Sequence, residues 1–280
     1  MYFAKYANQF YPENGLQEYI EKIHKSITTS PKKENAIIGI APHAGYFFSL
    51  ETALKTHTIL FDNAQIGTTV IIFSPSHTGL GNAISTQNYS TPLGVIENNS
   101  ELLKYLVENQ IINEDYFNDE AINYEHAVEV HIPIIQYLSK LHKTQLKYLA
   151  FVFDNPSRKN LEIVKFLLEN SYNNEKLKII ISSDFIHFGY SYDFIPFTNN
   201  IDENFYKLNR EIIEHIININ PEGFWKNSHT VCGKVPIYLT LKAIKELDLN
   251  LSPTLIELTD SSKKMKHFDR VAYCSLIFSK

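Results

Sequence analysis

Only two of the 280 residues are cysteine, Cys232 and Cys274, and only one is tryptophan. Two thiols are too few for a disulfide-stapled scaffold. The opening stretch MYFAKYANQFYPENG lacks both a charged leader and a continuous apolar run. No export signal is therefore expected, and both thiols are expected to be reduced in a cytoplasmic protein. No apolar stretch approaches the roughly 20 residues that a membrane-spanning helix needs, so no membrane association is expected. Basic residues are dispersed: 26 Lys and Arg stand against 31 Asp and Glu, for a formal charge of -5. Without a cationic stripe, nucleic acid is not an expected partner. The G-x-S-x-G elbow, the Walker A loop, the G-x-G-x-x-G fingerprint and the C-x-x-C pair are all missing, which weakens serine-hydrolase, nucleotide-binding and dithiol-redox readings. No repeat and no Pro/Gly/Ser linker divides the chain, so residues 1–280 are read as one domain.

What is present is a well-filled core: 44% of residues are apolar, with 17 Tyr and 18 Phe. Short β-branched runs at 36–40, 69–73, 148–153, 177–181, 254–258 and 270–278 read as strands. Amphipathic stretches at 15–26, 49–60, 100–108, 125–141, 157–169, 201–216 and 233–247 read as helices, the fifth with Ser157 as its N-cap. Strands alternating with helices imply an α/β fold, a three-layer α/β/α domain around a mostly parallel sheet.

Three of the apolar runs end alike. They pass into Ala41-Pro42-His43-Ala44-Gly45-Tyr46, Ser74-Pro75-Ser76-His77-Thr78-Gly79 and Ser182-Ser183-Asp184-Phe185-Ile186-His187-Phe188-Gly189. Ligands of open α/β sheets bind beyond the carboxyl ends of the strands, so three strand-end histidines point to a common region. Neutral imidazole is the commonest side-chain metal ligand. A lone strand-end histidine is more often structural, but the repeated arrangement favours a shared site over three coincidences. Asp184 reads equally as a ligand, as a carboxylate orienting an imidazole, or as a turn cap.

Cys232, in Thr230-Val231-Cys232-Gly233-Lys234, precedes an amphipathic stretch. The positive end of a helix there would lower its pKa and favour thiolate, a metal ligand or redox thiol. Cys274, within the apolar VAYCSLIF run, reads as a core residue. In Glu125-His126-Ala127-Val128-Glu129-Val130-His131 the histidines are five apart and share no helical face, whereas the two acids are four apart and do. His126 is expected to support the pocket from behind its ligands, with a weaker share for Glu129.

In sequence order, Asn8-Gln9-Phe10-Tyr11-Pro12, the PHAGY and SPSH loops, Thr91-Pro92-Leu93-Gly94, Glu125 to Pro133, the SSDFIH loop and Cys232 to Ile237 make a set that resembles the Memo-like family, which includes the AmmeMemoRadiSam system protein B group. The resemblance implies a LigB-like fold, related to class III extradiol dioxygenases. It also implies a metal pocket of His43, His77 and Cys232, with Asp184 and His187 lining it and His187 at the acid/base position of those dioxygenases. His187, Asp184 and His126 are thus the candidate catalytic residues. The sequence departs from the family pattern at Ser74 and Leu50, where glycine is usual, two places that bear on loop geometry.

Three functions fit this reading. The first is a metal-binding protein with a redox or other metal-dependent role, holding one ion, iron or copper, with zinc as a further candidate. The second is a working dioxygenase-like oxidoreductase or a metal-assisted hydrolase. The third is a peptide- or protein-binding module with a vestigial pocket. A thiolate in place of a carboxylate favours softer ions such as Cu(I). The expected ligand is a small molecule or a peptide.

Overall fold

The structure, a computed structural model, describes residues 1–27 and 35–280. Strand β1 (Tyr2–Phe3) and helix α1 (Leu16–Ser26) come first, then β2 (Ala36–Ala41), α2 (Tyr46–Phe61) and β3 (Thr69–Pro75). Three short strands follow: β4 (Ala83–Ile84), β5 (Tyr89–Thr91) and β6 (Gly94–Ile96). Next are α3 (Ser100–Glu108), α4 (Asp119–Asn123), α5 (His126–Glu129), α6 (His131–His142), β7 (Lys147–Phe153) and α7 (Arg158–Asn173). β8 (Leu177–Ser182), β9 (His187–Phe188), α8 (Ile201–Ile217), α9 (Pro221–Asn227), α10 (Lys234–Glu246), β10 (Ser252–Asp260) and β11 (Arg270–Ser279) complete the chain.

The main sheet runs in the order β10-β11-β2-β8-β3-β7-β4, with β9 paired to the start of β11. Its centre, β2-β8-β3-β7, is parallel, as the alternation of strands and helices implied. Both margins are antiparallel, so the sheet is mixed. A small second sheet pairs β1, β5 and β6, and the Thr91-Pro92-Leu93-Gly94 motif is the turn between the last two.

Alternate residues of the central strands serve opposite layers. Ile71 and Phe73, Phe151 and Phe153, and Ile179 and Ile181 pack on one side against α7, α8 and α10. Val70 and Ile72, Ala150 and Val152, and Ile180 pack on the other against α1, α2 and α6. This period of two, apolar on both faces, is what a sheet covered by helices on both sides requires. Each fully buried side chain of this size contributes about 1.5–3 kcal/mol, and trimming Phe73 to alanine would cost about 3–5 kcal/mol once the cavity is included.

The six long strands lie within two residues of their expected positions, and Ser157 caps α7 by accepting the Asn160 N–H. The strands of two or three residues are too short to show a period. One expected helix is corrected: 125–141 is interrupted at Val130. Pro133 has no N–H to give the Glu129 carbonyl four residues back, so the ladder breaks there. Among the described residues, no helix is long and apolar enough to cross a membrane.

Register sets the position of the site. Ala41 lies opposite Ser182, and Phe73 opposite Ile181, so β2, β8 and β3 end at one level. β11, running the other way, brings Val271 beside His187 at that same end.

Candidate metal centre

His43 follows β2 after Pro42, whose fixed φ stiffens the exit from the strand. Its imidazole is buried, 1% exposed, and packs edge-on at 5.1 Å from the ring of His77. His43 Nδ1 lies 2.8 Å from Ser182 Oγ, while Nε2 is buried without a partner. Burial, then the neighbouring His77 and His126, hold this imidazole well below its usual range, so it is neutral and has a lone pair to give.

His77, after β3, is held at two points by Glu125: Oε2 accepts its backbone N–H at 2.6 Å and Oε1 its Nδ1 at 2.7 Å. That leaves Nε2 as the free donor. Burial pushes the Glu125 carboxyl up, but the His77 hydrogen bonds and charge outweigh it, and the group sits below its usual range. His77, Glu125 and His126 also form a compact group, yet both Glu125 oxygens are already occupied by His77 and by the Ala127 N–H. Glu125 therefore orients His77. Sequence reasoning missed this residue; its signal was an acid at the N-cap of a short, buried helix within the EHAVEVHIP motif.

Cys232 stands one residue before the N-cap of α10. It is placed by Gly233, whose N–H donates to Ser183 Oγ at 3.0 Å, and by its own N–H to the Asp184 carbonyl. A side chain on Gly233 would meet Ser183 Cβ at 2.4 Å and the Ser182 carbonyl at 2.8 Å, so glycine lets the α10 start dock against the end of β8. One donor atom each from His43, His77 and Cys232 lies within 4.8 Å of the other two. The expected lowering of the thiol pKa is corrected: burial, then the Asp184 and Glu125 carboxylates, push Cys232 well above its usual value. The single turn of dipole ahead of α10 does not offset that desolvation.

His187 lies beside this group, with Nε2 3.8 Å from Cys232 Sγ. Its Nδ1 is within 2.9 Å of the Phe185 carbonyl and 3.0 Å of the Thr230 carbonyl, so Nδ1 carries the proton and Nε2 the lone pair. The Tyr192 ring packs edge-on against it at 4.9 Å. Asp184 is buried nearby, but its Oδ1 accepts the His43 backbone N–H at 2.9 Å; it anchors the loop rather than orienting a ring. Burial raises its carboxyl pKa, and the neighbouring His187 and the backbone N–H donors only partly counter this.

His126 stacks at 4.4 Å from His77, is covered by Phe10 at 4.7 Å, and is pushed down to about 4 by burial and then by His77. Glu129 does not belong to the pocket. It is fully buried and accepts from the Lys5 and Tyr6 N–H groups and the Tyr11 and Tyr89 hydroxyls, tying the N-terminal segment to α5. Leu50 faces the core from within α2, and Ser74 is buried in β3 with its hydroxyl on the Pro75 carbonyl. Both cysteines are free thiols.

The donor set fits a metal ion: two imidazole nitrogens, one of them buried and unpartnered, and a thiol sulfur, converging at a strand-end crevice. A family model described as Memo-like protein matches residues 3–277. The chain is similar along its length to proteins described as MEMO1 family protein from three archaea. It is 30% identical to that of Pyrococcus abyssi, with 97% of each chain covered, and 30% identical to that of Pyrococcus horikoshii, with 98% covered. Identity to that of Thermococcus onnurineus is 28%, again with 98% of each chain covered. A match that takes in every strand-end loop of this pocket makes the chain a member of the Memo family.

Proposed function

We propose that this chain is a metal-binding protein in which His43 Nε2, His77 Nε2 and Cys232 Sγ hold one ion, iron or copper, for redox chemistry on a small molecule or peptide. The observation that carries the reading is the convergence of these three donors around the unpartnered, buried Nε2 of His43. A buried lone pair without a donor is costly, and a cation relieves that cost. Three protein ligands leave coordination positions open, as a site that acts on an exogenous ligand requires.

A bound ion of this kind supplies Lewis acidity and electron transfer. The chain's own residues provide the rest. Glu125 and Ser182 fix the two imidazoles by their Nδ1 atoms. His187 Nε2, 3.8 Å from Cys232 Sγ, is placed to pass the thiol proton on toward solvent or to take one from a ligand in the pocket. Phe10, Tyr6 and Tyr192 flank His126 and His187 and limit water on that side. The two-histidine, one-thiol set favours softer ions than the two-histidine, one-carboxylate set of ring-cleaving oxygenases.

Metal analysis of untagged protein beside its His43→Ala and Cys232→Ala variants tests the reading. About one ion per chain, lost in both variants, is the expected result. A wild type that takes up no iron, copper or zinc after anaerobic loading would overturn it. Oxygen uptake with catechols then separates ring cleavage from other redox roles.

A further inference from the structure

Behind His43, on the side away from the pocket, Ser182 is the last residue of β8 and fully buried. Its hydroxyl has three partners: the Ala127 carbonyl at 2.7 Å, His43 Nδ1 at 2.8 Å and His131 Nε2 at 2.9 Å. A serine hydroxyl has one proton and two lone pairs, so three bonds saturate it. The carbonyl can only accept, and the proton must therefore go to Ala127. Were it turned toward His43 instead, two oxygens would face each other at 2.7 Å with no hydrogen between them, in a site closed to water. Both remaining contacts are then ones in which Ser182 accepts. His43 and His131 must each bring a hydrogen to it, on Nδ1 and Nε2 respectively.

We propose that Ser182 is a positioning residue that locks His43 in the Nδ1–H tautomer, so that its Nε2 presents a lone pair to the pocket before any ion arrives. The inference rests on the metal-binding reading for its purpose but not for its chemistry. His131 has a part in the same device. By filling the second lone pair from α6, it leaves Ser182 no freedom to rotate, and its ring is itself stacked at 5.1 Å on the buried His57 of α2. The Ala127 carbonyl that sets the hydroxyl belongs to α5, the helix whose N-cap Glu125 fixes His77. One short helix thus sets the tautomers of both imidazole ligands, His77 directly and His43 through Ser182.

The test begins with metal-free wild-type protein labelled with nitrogen-15 in histidine, the His43 signals being assigned by their loss in His43→Gln. A protonated Nδ1 and a bare Nε2 on His43 are expected. A proton on Nε2 would overturn the proposal without any variant being made. Ser182→Ala, folded by near-ultraviolet circular dichroism, should show His43 exchanging between tautomers, and Co(II) affinity should fall about 10- to 100-fold. Ser182→Thr, which keeps the hydroxyl, should restore the single tautomer. An unchanged His43 spectrum in Ser182→Ala would equally refute the role. If the wild type shows the expected tautomer yet binds no metal, the metal reading fails and the assignment to Ser182 stands.

Discussion

Glu125 Oε1 sits 2.7 Å from His77 Nδ1 while Oε2 accepts the His77 backbone N–H at 2.6 Å, so one buried carboxylate fixes both the ring and the loop of a candidate ligand. Replacing it by glutamine keeps the shape but turns one acceptor into an NH2 group, which must face either the His77 backbone N–H or both the His77 Nδ1–H and the Ala127 N–H. Glu125→Gln is expected to weaken metal binding about 10- to 100-fold, the usual cost of losing a partner behind a histidine ligand. Competition against a chromophoric chelator measures this, and an unchanged affinity would mean that Glu125 does not orient His77.

The join between α10 and β8 leaves no room at Gly233. An added methyl would sit 2.4 Å from Ser183 Cβ and 2.8 Å from the Ser182 carbonyl, a backbone atom that cannot swing aside. Gly233→Ala should therefore cost about 1–3 kcal/mol in urea unfolding, as overpacking does. It should also reduce metal affinity, because Cys232 moves with the displaced helix start. A variant as stable as the wild type would show that this junction is slack.

The long strands other than the edge strand β10 were legible because each is largely apolar on both faces, and the strand-end rule then pointed to His43, His77 and His187 without any knowledge of strand order. What the sequence could not show was pairing across distance. Glu125 and Glu129 share a helical face, and nothing in their spacing says which meets the pocket. The structure decides it: Glu129 is claimed by Tyr11 and Tyr89 from other elements, and Glu125 by His77. Cys232 lies just ahead of α10, as its sequence context implied, but its protonation differs from that expectation. The dipole argument is local, whereas the burial and carboxylates that raise its pKa come from segments far away in sequence. Asp184 likewise had a legible position and an illegible partner, since a carboxylate binds a ring or a backbone N–H with equal ease.

Stability of the metal-free protein should fall as the pH is lowered through the range of free histidine. His57 is fully buried, and desolvation pushes it down to about 4 against an ordinary 6.5, its Ala53 hydrogen bond only partly compensating. Between those values the unfolded chain takes up a proton that the folded chain does not. Stability on this account is fully present above pH 6.5 and is lost progressively toward pH 4. From pH 7 to pH 5 the single group accounts for about 2 kcal/mol. Urea unfolding at the two pH values, wild type beside His57→Leu, checks it: the variant should lose less stability on acidification. Equal losses would place the sensitivity elsewhere.

Cys232 carries a pH dependence of the same sign into metal binding. Its thiol is held well above the usual value by burial and by the Asp184 and Glu125 carboxylates, so at neutral pH the free protein has S–H and not S⁻. An ion that takes sulfur as a ligand must expel that proton, whereas His43, already neutral, gives up none. Binding should thus release one proton per ion, and affinity should rise about tenfold for each pH unit between 7 and 9. Calorimetric titration with Zn(II) in two buffers of different ionisation enthalpy counts the proton directly. In Cys232→Ser the release should vanish and affinity should drop, because a serine hydroxyl is not deprotonated in this range. Proton release that persists in the serine variant would mean that sulfur is not a ligand, and would leave His43 and His77 to share the ion with some other group.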